Sequence, residues 1–254
     1  GLVPFKTYPF QTQLLKDFNN HRFNVILKAR QLGISTITSA YVLWLMMFYK
    51  DKSIVVVATK FQTAALLVRK VKSMMQNLPS WMQIAKVTVD NRSSFELDNG
   101  SQIKASTTSQ DAGRGDALSL LVVDEAAHIE NMDELWTSIS PTISTGGRVI
   151  ALSTPFGVGN WFHKTCEDAM ISSNDFYLTN LPWDVHPERD QEWFDKETKS
   201  LSERDIAQEY LCNFNASGDT VIHPNDIDRL DKDSSMPKHR TGFDRNYSIW
   251  EEYD

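Results

Sequence analysis

The chain has 254 residues, 41% hydrophobic and 23% charged, a globular composition with room for one large or two modest domains. Its formal net charge of -7 argues against coating DNA by bulk electrostatics, although it leaves room for a local basic track. Cys166 and Cys212 show neither a disulfide framework nor zinc spacing and suit a reducing cytoplasm; no secretory signal is visible at the start, and the apolar run Tyr41 to Phe48 is too short for a bilayer.

Residues 1–9 read as a loop entry, and Phe10 to Phe18 has helical apolar spacing, with Gln11 near its start. Asn24 to Ala29 is the first buried strand. It runs into Lys28-Ala29-Arg30-Gln31-Leu32-Gly33-Ile34-Ser35-Thr36 and then a helix from Ser35 to Lys50. A strand, a glycine-bearing turn and a helix in that order aim backbone N–H groups and the positive helix end at one spot, which suits a polyphosphate. The turn nearly matches the pattern G-x-x-x-x-G-K-[ST], with Gly33 as second glycine and Ser35 as the magnesium-binding hydroxyl. Lys28 stands where the first glycine belongs and Ile34 where the lysine belongs. The missing cation is therefore expected from Lys28, at the strand end, or from Arg30, in the loop.

Ser53 to Thr59 is a second continuous apolar strand, and Phe61 to Leu78 a helix stopped at Pro79. Strand, helix, strand, helix implies a parallel sheet covered on both faces. Lys60, Arg69, Lys70 and Lys72 lie on or beside that helix, as a solvated face or a basic track. Val87 to Val89, Ser94 to Leu97 and Gln102 to Ala105 follow, the last two joined by Asp98-Asn99-Gly100, a hairpin signal and hence an antiparallel extension of the sheet. Asp111 to Asp116 is a glycine-rich loop with one cation, Arg114.

Leu118 to Val123 is a buried strand ending in Asp124-Glu125. Acids in that position need partners, and ligands of open α/β sheets bind at the carboxyl ends of the strands. Asp124 is the candidate magnesium ligand and Glu125 the candidate for polarising an attacking water. Asn131 to Ser140 reads as a helix. Arg148 to Leu152 is another buried strand, ending in Ser153-Thr154-Pro155, hydroxyls that stand beside Glu125 if the two strands are neighbours. Beyond it come a helix within Gly157 to Met170, a short strand Phe176 to Leu178, an amphipathic helix Glu188 to Leu201, and a helix through Phe214 opened by the capping-box-like Ser202 to Asp205. The six histidines, His128 included, have no metal-ligand spacing.

Gln11 ahead of the first strand, Arg30-Gln31-Leu32-Gly33-x-Ser35-Thr36, Leu97 to Ser101, Asp111-x-x-Arg114-Gly115, Val122-Val123-Asp124-Glu125 and Ser153-Thr154-Pro155-x-Gly157 occur in one ordered set. That set resembles the large terminase subunit of tailed bacteriophages, the motor that moves double-stranded DNA into a procapsid, over roughly residues 5 to 215. The resemblance implies ATP and Mg2+ as cofactors. It implies that Gln11 contacts adenine, that Lys28, Ala29, Arg30, Gln31, Leu32, Gly33, Ile34, Ser35 and Thr36 form the phosphate loop, and that Ser35 and Asp124 serve magnesium. It further implies Glu125 as the catalytic carboxylate, Ser153 and Thr154 as the coupling motif, Arg30 as the phosphate-loop arginine, and Arg114 as a finger that can reach a neighbouring subunit's nucleotide. Ile34 departs from the family's lysine, and Lys28 is favoured as its replacement.

The fold class expected is α/β: a P-loop, RecA-like, mostly parallel sheet with flanking helices, an antiparallel extension and a small α-rich subdomain. The boundaries expected are an ATPase core at 1–155, a small subdomain packed on it at 156–215, and a linker at 216–254 toward an absent C-terminal nuclease domain, so that no nuclease activity is expected of this chain. Expected partners are double-stranded DNA, further copies in a ring on a portal, and a small terminase subunit, in the host cytoplasm and with no membrane. The rival readings are a helicase-like nucleic-acid-dependent ATPase, since Asp124-Glu125-Ala126-Ala127 resembles a DEAD-type box, and a non-hydrolysing nucleotide-binding scaffold.

Overall fold

The structure, a computed structural model, describes residues 6–108, 117–217, 239–241 and 250–252. Its centre is an eight-stranded sheet in the order β3-β4-β5-β2-β6-β7-β1-β8, built from β1 (Phe23–Lys28), β2 (Ser53–Val57), β3 (Val87–Asn91), β4 (Ser94–Leu97), β5 (Gln102–Ser106), β6 (Leu120–Asp124), β7 (Arg148–Ser153) and β8 (Phe176–Leu181). From β5 to β8 every neighbour is parallel, while β3 and β4 run as the antiparallel extension. The strands that read as continuous apolar runs, β1, β2, β6 and β7, lie side by side in the middle. That is where a strand covered on both faces has to be; Val25, Ile26, Val55, Val122 and Val149 are fully buried.

Helices α1 (Pro9–Asn20), α2 (Ile34–Phe48), α3 (Phe61–Gln76), α4 (Met132–Ile143) and α5 (Trp161–Met170) flank the sheet. The expected hairpin forms, with Gly100 at φ 82 in a left-handed position that its missing Cβ permits. β6 and β7 are neighbours, so Asp124 stands level with Leu152 and one step from Ser153.

Two readings of the later chain need correction. The strand after α5 does not stay with a separate subdomain: β8 pairs along its whole length with β1, so the main sheet continues past residue 155. Its half-polar sequence suits an outer edge, which is why it does not look like a central strand. The helix expected through Phe214 is broken into α7 (Glu203–Glu209) and α8 (Phe214–Ser217), after a short α6 (Gln191–Thr198). Cys212, at φ 56, takes a left-handed conformation that an α-helix cannot continue through. The start is as read, since Ser202 Oγ accepts from Asp205 N at 3.1 Å.

Residues 1–218 form one compact unit, and residues 219–254 a second, in which β9 (His239–Thr241) and β10 (Trp250–Glu252) pair antiparallel. Of the segment read as a linker, residues 216 and 217 belong to α8, and those outside α8, β9 and β10 lie outside the described residues. Among the described residues no helix is long and apolar enough to cross a membrane.

Candidate nucleotide site

β1 delivers the chain to the carboxyl edge of the sheet at Lys28, and α2 starts again at Ile34. Between them four consecutive loop carbonyls, those of residues 30 to 33, are taken by donors. Arg189 donates to Arg30 O at 3.3 Å and to Gln31 O at 3.0 Å, Gln11 Nε2 donates to Leu32 O at 2.9 Å, and the α2 amides of Thr36 and Ile37 donate to Gly33 O at 3.0 Å. In a trans peptide the N–H points opposite to the C=O. The N–H groups of Gln31, Leu32, Gly33 and Ile34 are thereby turned to the other side, and with that of Ser35 they have no acceptor among the described residues. Consecutive inward N–H groups at the start of a 15-residue helix make an anion-binding concavity.

The loop side chains divide sharply. Ala29, Leu32 and Ile34 are buried, so Ile34, in the position where a lysine is the rule, fills core and leaves only its backbone to the site. Gly33 has φ 72, and an added Cβ would come within 2.8 Å of Gln11 Nε2, which accounts for glycine there. Gln31 also has a positive φ, 57, without glycine's freedom. Gln11 is 3% exposed and uses its amide within the protein: Oε1 accepts from Tyr8 N at 3.1 Å while Nε2 holds the loop.

Across from the loop, Ser35 Oγ donates to Asp124 Oδ2 at 3.2 Å. The strand β6 thus brings its acid to the helix that follows the turn, although 89 positions separate the two residues. Asp124 is 8% exposed, and burial holds its carboxyl above the usual value, opposed by Lys28 and by the hydrogen bond from Ser35. The Lys28 ammonium is pulled down by burial and back up by Asp124, Glu209, Cys212 and Glu125 in turn. The attraction between the two offsets part of what burial costs each charge.

Glu125 is exposed and left-handed, at φ 56 and ψ 38. Its N–H donates to Asp124 Oδ1 at 3.0 Å, and its carboxylate accepts from Thr59 Oγ1 at 2.5 Å. Ser153 Oγ accepts from Ala127 N at 3.2 Å, and Thr154 Oγ1 lies 3.3 Å from His128 Nε2. The strand-end hydroxyls are therefore wired to the turn after Glu125. Thr36 Oγ1 accepts from Lys70 Nζ at 3.2 Å, which takes one lysine out of the basic track read on α3. Arg30 is held by a third acid, Glu209: its Nε is 2.9 Å from Glu209 Oε2, and its N–H donates to Glu209 O at 2.8 Å. Arg114 lies outside the described residues.

Thr59, Arg189 and Glu209 were not singled out in the sequence. Thr59 had a signal, as a hydroxyl at the carboxyl end of a parallel strand. Arg189 and Glu209 had none, being charged residues on a short turn and helix far along the chain.

These features define a mostly parallel α/β domain of the P-loop type, in which a turn whose N–H groups are unpaired among the described residues meets an acid pair at the carboxyl edge of the sheet. The family model described as the terminase large subunit, T4likevirus-type, N-terminal matches residues 25–229, and the chain belongs to that family. Among solved structures, the chain resembles the large terminase ATPase domain of Thermus phage P74-26, with a TM-score of 0.67 at 22% identity over 83% of this chain and 94% of that one. It also resembles the large terminase of another thermophilic bacteriophage, with a TM-score of 0.67 at 13% identity over 84% of this chain and 54% of that one, a protein also solved with ADP and with ATP-γ-S. The HK97 bacteriophage large terminase matches with a TM-score of 0.61 at 18% identity, over 80% of this chain and 46% of that one. The chain thus spans about half the length of the latter two.

Proposed function

We propose that this chain is the ATPase domain of a phage DNA-packaging motor, hydrolysing ATP to drive double-stranded DNA into a procapsid. The observation that carries the reading is the Ser35–Asp124 contact, which sets a hydroxyl and a buried carboxylate beside the loop whose N–H groups face inward. Support also comes from family membership and from the nucleotide complexes of a protein with the same fold.

In this reading the loop amides of residues 31–35 bind the β- and γ-phosphates, and Lys28 supplies the cation that Ile34 does not. Ser35 and Asp124 suit Mg2+: both are hard oxygen donors, and two protein ligands are the number this ion usually takes when phosphates and waters complete its shell. Magnesium, when bound, neutralises phosphate charge. Glu125, exposed and oriented by Thr59, accepts the proton of the attacking water and positions it in line. Arg30, once exchanged from Glu209, and Arg114 from a neighbouring copy neutralise charge on the transferred group. Ser153 and Thr154 sense loss of that group through Ala127 and His128 and pass it to the turn after Glu125. Gln11 keeps one N–H and one lone pair for the adenine edge. The working assembly is a ring on a portal in the host cytoplasm, with a small terminase subunit as a further partner.

Glu125→Gln tests the assignment. It should leave ADP binding unchanged and lower ATP turnover by about 10²-fold or more; undiminished phosphate release in that variant would refute the role of Glu125, and absence of both binding and turnover in the unaltered chain would refute the motor reading.

A further inference from the structure

We infer that Arg189, which lies outside every loop motif, is a positioning residue for phosphate binding: it holds the peptide groups of residues 30–32 so that their N–H groups face the nucleotide. This inference rests on the nucleotide reading of the loop.

The two loop carbonyls gripped by Arg189 belong to the peptides that carry the N–H groups of Gln31 and Leu32. Holding a carbonyl on the outer side fixes the opposite N–H inward. One guanidinium therefore sets two consecutive donors of the cradle, and Gln11 sets the next through Leu32 O. Arg189 suits this task because its fork spans two neighbouring oxygens, which an ammonium on a flexible stem does not do.

The conformation being held is a strained one. Gln31 sits at φ 57, in the left-handed region where a Cβ crowds the following carbonyl oxygen. No hydrogen bond from the Gln31 side chain offsets that among the described residues, whereas its carbonyl takes the shorter of the two Arg189 bonds. The guanidinium is itself fixed in place. Its centre lies 4.4 Å from the ring centroid of Trp193, on the first turn of α6, and Trp193 packs against Trp183 and Tyr210 with centroids 6.1 Å away. Asp190 caps α6 by accepting from Trp193 N at 2.8 Å, and Arg189 N donates to His186 O at 3.0 Å. The aromatic layer of 183–210 thus acts as a fixed base from which Arg189 reaches the loop.

The test is Mg-ADP binding by calorimetry and steady-state ATP turnover on the whole chain, in Arg189→Ala, Arg189→Lys, Gln31→Gly and the Arg189→Ala/Gln31→Gly pair. Arg189→Ala should weaken ADP binding about tenfold and raise the KM for ATP in step, with kcat at saturation within about threefold of the unaltered chain. Arg189→Lys, which keeps the charge and the stem but loses the fork, should fall between. Glycine adopts positive φ without strain, so the same Arg189→Ala change made in the Gln31→Gly background should cost less than about threefold. A general packing role would lower the melting temperature and leave no such dependence on residue 31. Unchanged ADP affinity in both Arg189 variants, or an equal loss with and without Gln31→Gly, overturns the inference. Failure of the unaltered chain to bind ADP or ATP instead overturns the nucleotide reading beneath it.

Discussion

Thr59 and Glu125 meet at the mouth of the site, and their contact gives the residue scale its sharpest consequence. A carboxylate exposed to water samples many orientations unless a donor holds it, and the Thr59 hydroxyl is placed to do so at 2.5 Å. Thr59→Val keeps the shape and removes the donor. It should lower turnover about tenfold, the worth of one hydrogen bond to a charged group, while ADP affinity stays within about twofold. Thr59→Ser should retain most activity. Equal turnover in the valine and serine variants would detach Thr59 from the chemistry. Gly33 shows the same scale from the backbone side, because at its φ of 72 a side chain would be strained, and a Cβ there would also push aside the Gln11 amide that holds Leu32 O.

Among elements, the helix ends opposite the site are closed by arginines from the strands. Arg148, the first residue of β7, donates to Phe18 O at 2.9 Å and to Asn19 O and His21 O at 3.1 Å, closing the end of α1. Arg22, just before β1, donates to Ile143 O at 2.7 Å and to Gly147 O at 2.9 Å, closing the end of α4. Helix carbonyls at a C-terminus need such donors, and a cation there also meets the negative end of the dipole. Arg148→Met should therefore lower unfolding stability by about 2 kcal/mol, read as a shifted urea midpoint at constant slope. ADP binding should not change, because β7 enters the sheet at the edge away from the loop. A lost cap with weakened binding would show that the two edges communicate.

At the scale of the whole molecule, β8 decides what can be separated from what. It covers the outer side of β1, and Leu181 O accepts from Ala29 N at 2.8 Å and from Cys212 Sγ at 3.5 Å. Residues 156–217 therefore supply a strand of the sheet, the clamp from Arg189 and the partner of Arg30. A chain ending at Pro155 should leave β1, apolar over Val25 to Leu27, as an exposed edge and lose cooperative thermal unfolding. A chain ending at Ser217 should melt within a few degrees of the full chain and bind ADP with the same affinity. A soluble, cooperatively melting 1–155 fragment would restore the boundary read from the sequence.

Local signals made the apolar strands, the turn around Gly33, the Asn-Gly hairpin and the acid pair legible, because hydrophobic period and turn chemistry are properties of neighbours in the chain. The parallel order follows from alternation of strand and helix, and it puts Ser35 and Asp124 at one edge of the sheet. The rest was decided by contacts between segments far apart. Nothing near Arg30 announces Glu209, and nothing near Gln31 announces Arg189, since a salt bridge or a gripped carbonyl has no period and depends on how separate elements pack. The polar face of β8 hid its place in the sheet for the same reason: an edge strand needs little apolar patterning, and only its partner reveals it. The sequence by itself determined which elements exist and which chemistry they carry, whereas the tertiary structure decided which way the loop carbonyls face, and so where its donors point.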